Sequence, residues 1–384
     1  MGNSLKKGKK APGDKDTTVQ KAGESPASGG KGGDEKASAE VAKISMDDFE
    51  IVKVLGRGAF GKVMLVRKKT DATSKLFALK SLKKADLVKA HQVEHTTTER
   101  YVLEEITSPF LVHLSYAFQT KDKLYIVMDY LTGGELFFWL KKQTKFTESR
   151  AKLYLAECVL AIEAMHAKNI IHRDLKPENI LLDKDGHLKI VDYGLAKGGI
   201  TSSGANDGGV TTKTFCGTPE YVAPELIENR PHGKAVDWWA LGCILYEMLY
   251  GLPPFYDSNV NTMYRKILHD TLKFPSNVQT SENAKALIRG MLVRDVSGRM
   301  GAGPNGAGDI KNDTFFQTLD FKRVHAKKYT PEFAPPKQKN DADVRNFDAE
   351  FTTEAATDSV VDSTMTNTMQ KKADFGGFTY QPGK

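Results

Sequence analysis

Hydrophobic and polar positions alternate from Asp48 to Arg67. Phe49-Glu50-Ile51-Val52-Lys53-Val54-Leu55 leads into Gly56-Arg57-Gly58-Ala59-Phe60-Gly61, and Lys62-Val63-Met64-Leu65-Val66 follows. A period of two around a glycine turn predicts strand, loop, strand. The pattern turns helical over about His91 to Glu105. Leu124-Tyr125-Ile126-Val127-Met128 is a continuous apolar run and predicts a buried strand. It ends in the connector Asp129 to Glu135, after which helical spacing runs through Leu153-Tyr154-Leu155 to Ile162 and Met165. Leu188-Lys189-Ile190-Val191 predicts another strand, with Asp192 at its end. Trp238 to Phe255 is the most apolar stretch, but Glu247, Gly251 and Pro253-Pro254 interrupt it. It predicts a buried core helix and not a membrane span. The order is a small β-rich part followed by a larger helical part.

At 384 residues the chain has room for two lobes with sizeable cores. Composition changes this picture mainly at the ends. Residues 1–45 are rich in Gly, Ser, Lys and Ala and are expected to be disordered. Met1-Gly2-Asn3-Ser4-Leu5 with Lys6, Lys7, Lys9 and Lys10 has two readings. One is N-myristoylation at Gly2 plus a basic patch, a two-signal peripheral membrane anchor. The other is a plain basic arm, because Lys6 stands where the acylation pattern wants Ser or Thr. Gly198 to Val210 and Gly301 to Gly308 predict surface loops, the former mobile. Beyond Pro331 the chain becomes extended and acidic with spaced aromatics. The net charge of +7 is dispersed and calls for no nucleic-acid partner. Three cysteines, Cys158, Cys216 and Cys243, make no disulfide framework and point to a reducing, cytoplasmic setting.

The chemistry gathers at His172-Arg173-Asp174-Leu175-Lys176-Pro177-Glu178-Asn179. Asp174 has the type to accept a hydroxyl proton, Lys176 to hold a moving phosphoryl oxygen, and the Asn179 amide oxygen to ligate a metal. Asp192 adds a second carboxylate for a metal. The glycine loop is followed by strand and not by helix, and the next marked position is Lys80 in Phe77-Ala78-Leu79-Lys80. This argues for a lid over phosphates and against a dinucleotide fold. Glu99, on the predicted helix, is the candidate partner of Lys80.

Together with Asp192-Tyr193-Gly194 and Ala223-Pro224-Glu225, these motifs resemble the eukaryotic protein Ser/Thr kinases from about Phe49 to Phe321. Thr214-Phe215-Cys216-Gly217-Thr218-Pro219-Glu220-Tyr221 and Phe375-Gly376-Gly377-Phe378-Thr379-Tyr380 are similar to the AGC group. The catalytic regions of protein kinase B, ribosomal S6 kinase and protein kinase C are the most similar within it. The resemblance implies an α+β bilobal fold: a small lobe (46–130) with its helix C, a helical large lobe (131–321), and a tail (322–384) wrapping the small lobe. It implies ATP and Mg2+ as cofactors and Asp174, Lys176, Lys80 and Glu99 as catalytic residues. Asn179 and Asp192 would hold metal. Leu55, Gly56, Arg57, Gly58, Ala59, Phe60, Gly61, Val63, Ala78, Lys80, Met128, Asp129, Leu131, Glu135, Leu181 and Asp192 would hold the nucleotide.

Glu135, Glu178 and Glu247 match positions that read substrate arginines, so protein substrates with basic motifs are implied. Thr214, Ser359 and Thr379 match phosphorylation sites, although Val360 replaces the Pro expected after Ser359. His95, Arg173 and Lys197 would receive the Thr214 phosphate. An upstream activating kinase of the phosphoinositide-dependent type and a monomeric state follow from the same likeness. Phe375 and Phe378 would insert near Val88, Val93 and Leu124, and Glu225 with Arg299 would form a structural pair. Tyr193 departs from the family's Phe and needs a partner for its hydroxyl if buried. Two alternatives stay open: a pseudokinase scaffold, which usually lacks one of Lys80, Glu99, Asp174, Asn179 or Asp192, and a small-molecule phosphotransferase, which has no need of Ala223-Pro224-Glu225.

Overall fold

The computed structural model describes residues 44–382, apart from 59, 72, 205–207, 341–342, 362–369, 371–372 and 374. The expectations for the N-terminal arm up to residue 43, including Gly2, and for Ala59 lie outside the described residues. Ile44 and Ser45, inside the stretch expected to be disordered, are packed. Ile44 is buried against Phe49, Phe77 and Phe118, and the Ser45 side chain accepts from the Asp47 amide at 3.2 Å.

The small part is a five-stranded antiparallel sheet in the order β1-β2-β3-β5-β4. Its strands are β1 (Phe49–Gly58), β2 (Gly61–Lys68), β3 (Leu76–Lys83), β4 (Leu114–Gln119) and β5 (Lys123–Asp129). The unbroken apolar run of β5 has a physical reason. It lies between β3 and β4 and is buried from Lys123 to Met128, so neither face can be polar. Helices α1 (Lys84–Lys89) and α2 (Val93–Glu105) follow β3.

The larger part is helical: α3 (Leu136–Gln143), α4 (Glu148–Ala167), α5 (Pro224–Ile227), α6 (Ala235–Tyr250), α7 (Val260–His269), α8 (Glu282–Met291), α9 (Ala307–Lys311) and α10 (Phe321–His325). A short ribbon of β6 (Ile180–Leu182) and β7 (Leu188–Ile190) carries the catalytic-type loop on one side and Asp192 on the other. α6 is buried from Ala235 to Leu249 and ends at Gly251, whose φ of 90° closes the helix. This explains an apolar stretch that is long but does not cross a membrane. No helix among the described residues is long and apolar enough to do so.

Glu225 and Arg299 form a bidentate pair at 2.7 and 2.8 Å, both fully buried. Arg299 also donates to the Val293, Ala235 and Arg294 carbonyls, which supplies the extra hydrogen bonds a buried ion pair needs. The tail crosses the sheet through α11 (Ala349–Thr352), which packs on β1.

The described residues of the Gly198–Val210 loop include packed positions. Ile200 and Ser202 are buried, and the loop is pinned to the segment before α6. The Lys234 amide donates to Ser202 O at 3.0 Å, and Thr212 and His232 exchange backbone bonds at 3.0 and 2.9 Å.

Candidate active site

Between the sheet and the helices lies a cleft of about 660 Å³. Every residue expected to hold the nucleotide borders it, Ala59 aside. Apolar walls come from Leu55, Val63, Ala78, Met128, Leu131 and Leu181; Lys80, Glu99, Asn179 and Asp192 converge at one end. The three glycines of the hairpin differ in their reasons. A Cβ on Gly56 or Gly58 would meet nothing within 4 Å, so the backbone there is open to a ligand. A Cβ on Gly61 would lie 1.7 Å from Ser81 O, so Gly61 is needed for the close packing of β2 on β3.

Lys80 Nζ lies 2.6 Å from Glu99 Oε1 and 3.1 Å from Asp192 Oδ1. Burial alone would pull the Lys80 pKa down. The Asp192 and Glu99 carboxylates outweigh it and raise it, so Lys80 stays charged. Asp192 also accepts from the Gly194 amide at 3.0 Å, while 47% of its side chain remains exposed.

On the facing loop, Asp174 is fixed from three sides. Thr218 Oγ donates to its Oδ1 at 2.7 Å, Lys176 Nζ lies 3.1 Å from Oδ2, and Asn179 Nδ2 lies 3.2 Å from Oδ2. Lys176 Nζ also donates to Thr218 Oγ at 2.9 Å. Behind this loop, buried Asp237 accepts from the His172 and Arg173 amides, both at 2.9 Å, and pairs with His166 Nε2 at 2.8 Å. Burial opposes the Asp237 charge, but the His166 bond and the nearby histidines hold its carboxyl below the usual range. Arg173 has φ 69°, an unusual conformation for a non-glycine residue, and the two Asp237 bonds brace it. A Cβ on Gly217 (φ 111°) would lie 2.8 Å from Arg173 O, so only glycine fits opposite.

A cleft over a glycine hairpin, with a lysine–glutamate pair and a fixed Asp-Lys-Asn set, is the arrangement of a phosphotransferase. Residues 49–316 match the protein kinase domain model and residues 338–380 match the protein kinase C terminal domain model. The chain belongs to the protein kinase family. It is 47% identical over 335 residues to protein kinase 2 of Dictyostelium discoideum, covering 87% of this chain and 67% of that one. It is 49% identical to the serine/threonine-protein kinase gad8 of Schizosaccharomyces pombe (81% and 52%) and 46% identical to the human RAC-beta serine/threonine-protein kinase (82% and 63%). These place the kinase in the serine/threonine, AGC group. The chain spans from about half to two thirds of these relatives' own length.

The kinase's Thr218 and Asp237 hold the loop but carried no chemistry in the sequence reading, since a threonine 44 residues from its aspartate partner gives no local signal. Tyr193 is fully buried and its hydroxyl has the partner it needs, the Ile190 carbonyl at 2.8 Å.

Of the expected phosphate pocket, Arg173 is buried and donates through Nε to Leu195 O at 2.7 Å, while both its Nη atoms lack a hydrogen-bond partner. His95 is pulled down by burial and then by Arg173 and Lys197 nearby. Lys197 is already taken by Glu94 of α2. Thr214 is exposed, its Oγ 3.5 Å from Thr212 Oγ.

Among the acidic positions, Glu135 is pushed up to about 7 by burial and by Glu178 and Asp348. Glu178 has a buried oxygen without a partner. Glu247 is buried behind Tyr221, whose hydroxyl donates to it at 2.6 Å. It is therefore less open to a ligand than its sequence position implied. Phe375 and Phe378 are buried with Leu87, Val88, Val102 and Leu124, and Val93 packs against the same cluster. Tyr380 exchanges backbone bonds with Ala117 at 3.0 and 2.7 Å, extending the sheet beyond β4. Thr379 is exposed. Burial raises the Cys216 thiol, which disfavours a reactive thiolate.

Proposed function

We propose that this kinase transfers the γ-phosphoryl group of ATP to serine or threonine in arginine-containing protein segments. The observation that carries this reading is the joined set Lys80–Glu99, at 2.6 Å, and Asp174–Lys176–Thr218, within 3.1 Å of one another. A pseudokinase usually lacks one of Lys80, Glu99, Asp174, Asn179 or Asp192, and the chain has all five. Asp174 orients the substrate hydroxyl and accepts its proton as the oxygen–phosphorus bond forms. Lys176 neutralises the phosphoryl oxygens while the bond to the β-phosphate breaks and ADP leaves. Lys80 holds the α- and β-phosphates.

A divalent cation fits the donor set. The Asn179 amide and the partly exposed Asp192 carboxylate border the same cleft, and no group of three or more His, Cys, Asp or Glu is gathered among the described residues. Such a sparse pair suits Mg2+, which takes its other ligands from phosphate and water and would supply charge neutralisation there.

Glu135 and Glu178 lie on the cleft's rim and suit an arginine upstream of the target residue. Activation by an upstream kinase at Thr214 has a physical ground in the Arg173 guanidinium, whose buried Nη atoms await acceptors. Phosphorylation at Thr379 would reinforce the docked Phe375 and Phe378. Membrane association through the N-terminal basic arm and a monomeric state belong to the same proposal.

The test is radiolabelled ATP with a mixed library of basic peptides, comparing the chain with Asp174→Ala. Strong incorporation by the unaltered chain and a loss of at least a thousandfold in the variant are expected. Equal incorporation by both refutes the reading.

A further inference from the structure

The tail between Phe347 and Ser359 carries acids that the proposed chemistry does not use. Glu354 Oε2 receives Lys62 Nζ at 2.9 Å and an Arg57 Nη at 3.0 Å. Arg57 and Lys62 are direct partners across the β1–β2 hairpin, one step from the Gly58–Gly61 pair that closes it. Two cations facing each other across a hairpin repel. A carboxylate between them replaces that repulsion with two attractions and ties the strands together at the mouth of the glycine turn. Arg57 and Lys62 both border the cleft, as Val63 does, so the carboxylate grips the part of the hairpin that faces the nucleotide site. The tail carboxylate therefore engages both cations at the edge of the cleft.

Glu354 is held at its post from both sides. Upstream, α11 packs on β1, Lys53 Nζ donates to Thr352 O at 3.4 Å, and the Phe347 ring stacks on Tyr130 at 5.8 Å. Downstream, the Asp358 carboxylate collects Lys123 Nζ at 2.5 Å, Ser81 Oγ at 2.7 Å, Tyr125 Oη at 3.0 Å and the Ser359 amide at 2.7 Å. Ser81 and Tyr125 are themselves cross-strand partners in β3 and β5. The tail is therefore anchored to the sheet by a carboxylate immediately before Ser359, with no phosphate needed for the contact.

We propose that Glu354 is a positioning residue for the nucleotide: by clamping Arg57 and Lys62 it holds the glycine hairpin closed over the phosphates. This rests on the kinase reading above. The experiment uses the full chain and measures MgADP affinity by titration calorimetry, with ATP KM and kcat alongside. Glu354→Gln should weaken MgADP binding and raise KM about three- to tenfold, with kcat within about twofold. The difference should narrow in high salt. Glu350→Gln, which removes an exposed charge from the same stretch, should leave both unchanged. Unchanged or tighter MgADP binding by Glu354→Gln overturns the proposal. So does an equal fall in kcat together with a lowered melting temperature, which would make Glu354 a purely structural strap. If the unaltered chain neither binds MgADP nor transfers phosphate, it is the kinase reading that has failed.

Discussion

Replacing Thr218 by valine is the sharpest test of how Asp174 is held. The change keeps the β-branched shape at a residue whose backbone is extended (φ −93°, ψ 128°), so little strain is added. It deletes one hydroxyl that donates to Asp174 Oδ1 at 2.7 Å and accepts from Lys176 Nζ at 2.9 Å. Each is a bond to a charged group, for which roughly 1.5–3 kcal/mol is usual. The full loss of both would be several powers of ten in rate, at about 1.36 kcal/mol per decade. The remaining contacts limit it. Lys176 keeps Asp174 Oδ2 at 3.1 Å, and Asp174 keeps Asn179 Nδ2 at 3.2 Å. About one bond's worth of alignment is therefore lost, and kcat should fall about 10- to 100-fold. KM for ATP should stay within about twofold, because Thr218 does not border the nucleotide cleft. Thr218→Ser, which restores the hydroxyl, should recover most of the rate. The assay is steady-state phosphorylation of a basic peptide, with melting temperature as a control. A valine variant with kcat within twofold of the parent would refute the idea that Thr218 aligns the acceptor and the lysine.

Three further outcomes follow from individual contacts. Glu135 must be ionised to attract arginine, and its carboxyl is raised to about 7, so its charge is lost as pH falls through that value. Between pH 8 and pH 6, KM for an arginine-containing peptide should rise several-fold more than for an arginine-free one; a constant ratio contradicts this role. Tyr193→Phe removes a bond to Ile190 O, but that oxygen still accepts from the Val112 amide at 3.0 Å, so no acceptor is orphaned. Stability should fall by only about 0.5–1.5 kcal/mol in denaturant titration, and a loss above about 3 kcal/mol would show that the hydroxyl does more. Glu225→Ala leaves the Arg299 guanidinium buried without its carboxylate, and about 3–5 kcal/mol should be lost; a shift under about 1 kcal/mol refutes that accounting.

What could be read from the sequence was the chemistry with a local signature. Asp174, Lys176 and Asn179 fall within six residues, and Lys80 and Asp192 each sit at a strand that its apolar neighbours announce. The contacts that hold these groups were not legible, because they are long-range and use ordinary residues. Asp237 stands directly before the apolar stretch that begins at Trp238, and only the fold brings its carboxylate under the His172 and Arg173 amides. Glu354 and Asp358 were two of many tail acids until the tail was laid on the sheet. In the Gly198–Val210 stretch composition announced a surface loop but not the backbone bonds that tie Ser202 and Ser203 to Lys234 and Ala235.

The tail also changes where the nucleotide site ends. The protein kinase domain match stops at residue 316, yet Phe347 borders the cleft. The linker between the lobes is shaped to receive it. Asn346 Nδ2 donates to Thr132 O at 3.0 Å, and Asn346 O lies 2.1 Å from where a Cβ on Gly134 (φ 75°) would stand. Any side chain at 134 would both strain the backbone and push the tail off the linker. The same tail then clamps the glycine hairpin through Glu354, buries Phe375 and Phe378, and sets the Tyr380 ring 5.9 Å from the Arg100 guanidinium of α2, the helix bearing Glu99. Linker, hairpin and α2 all border the nucleotide cleft, as β3 does, and the tail contacts each of those three. A perturbation of the tail therefore reaches the nucleotide cleft by two routes: through Phe347 and the hairpin that Glu354 grips, and through the Lys80–Glu99 pair. The routes are separable, because loss of the first should appear in nucleotide affinity and loss of the second in the rate of transfer.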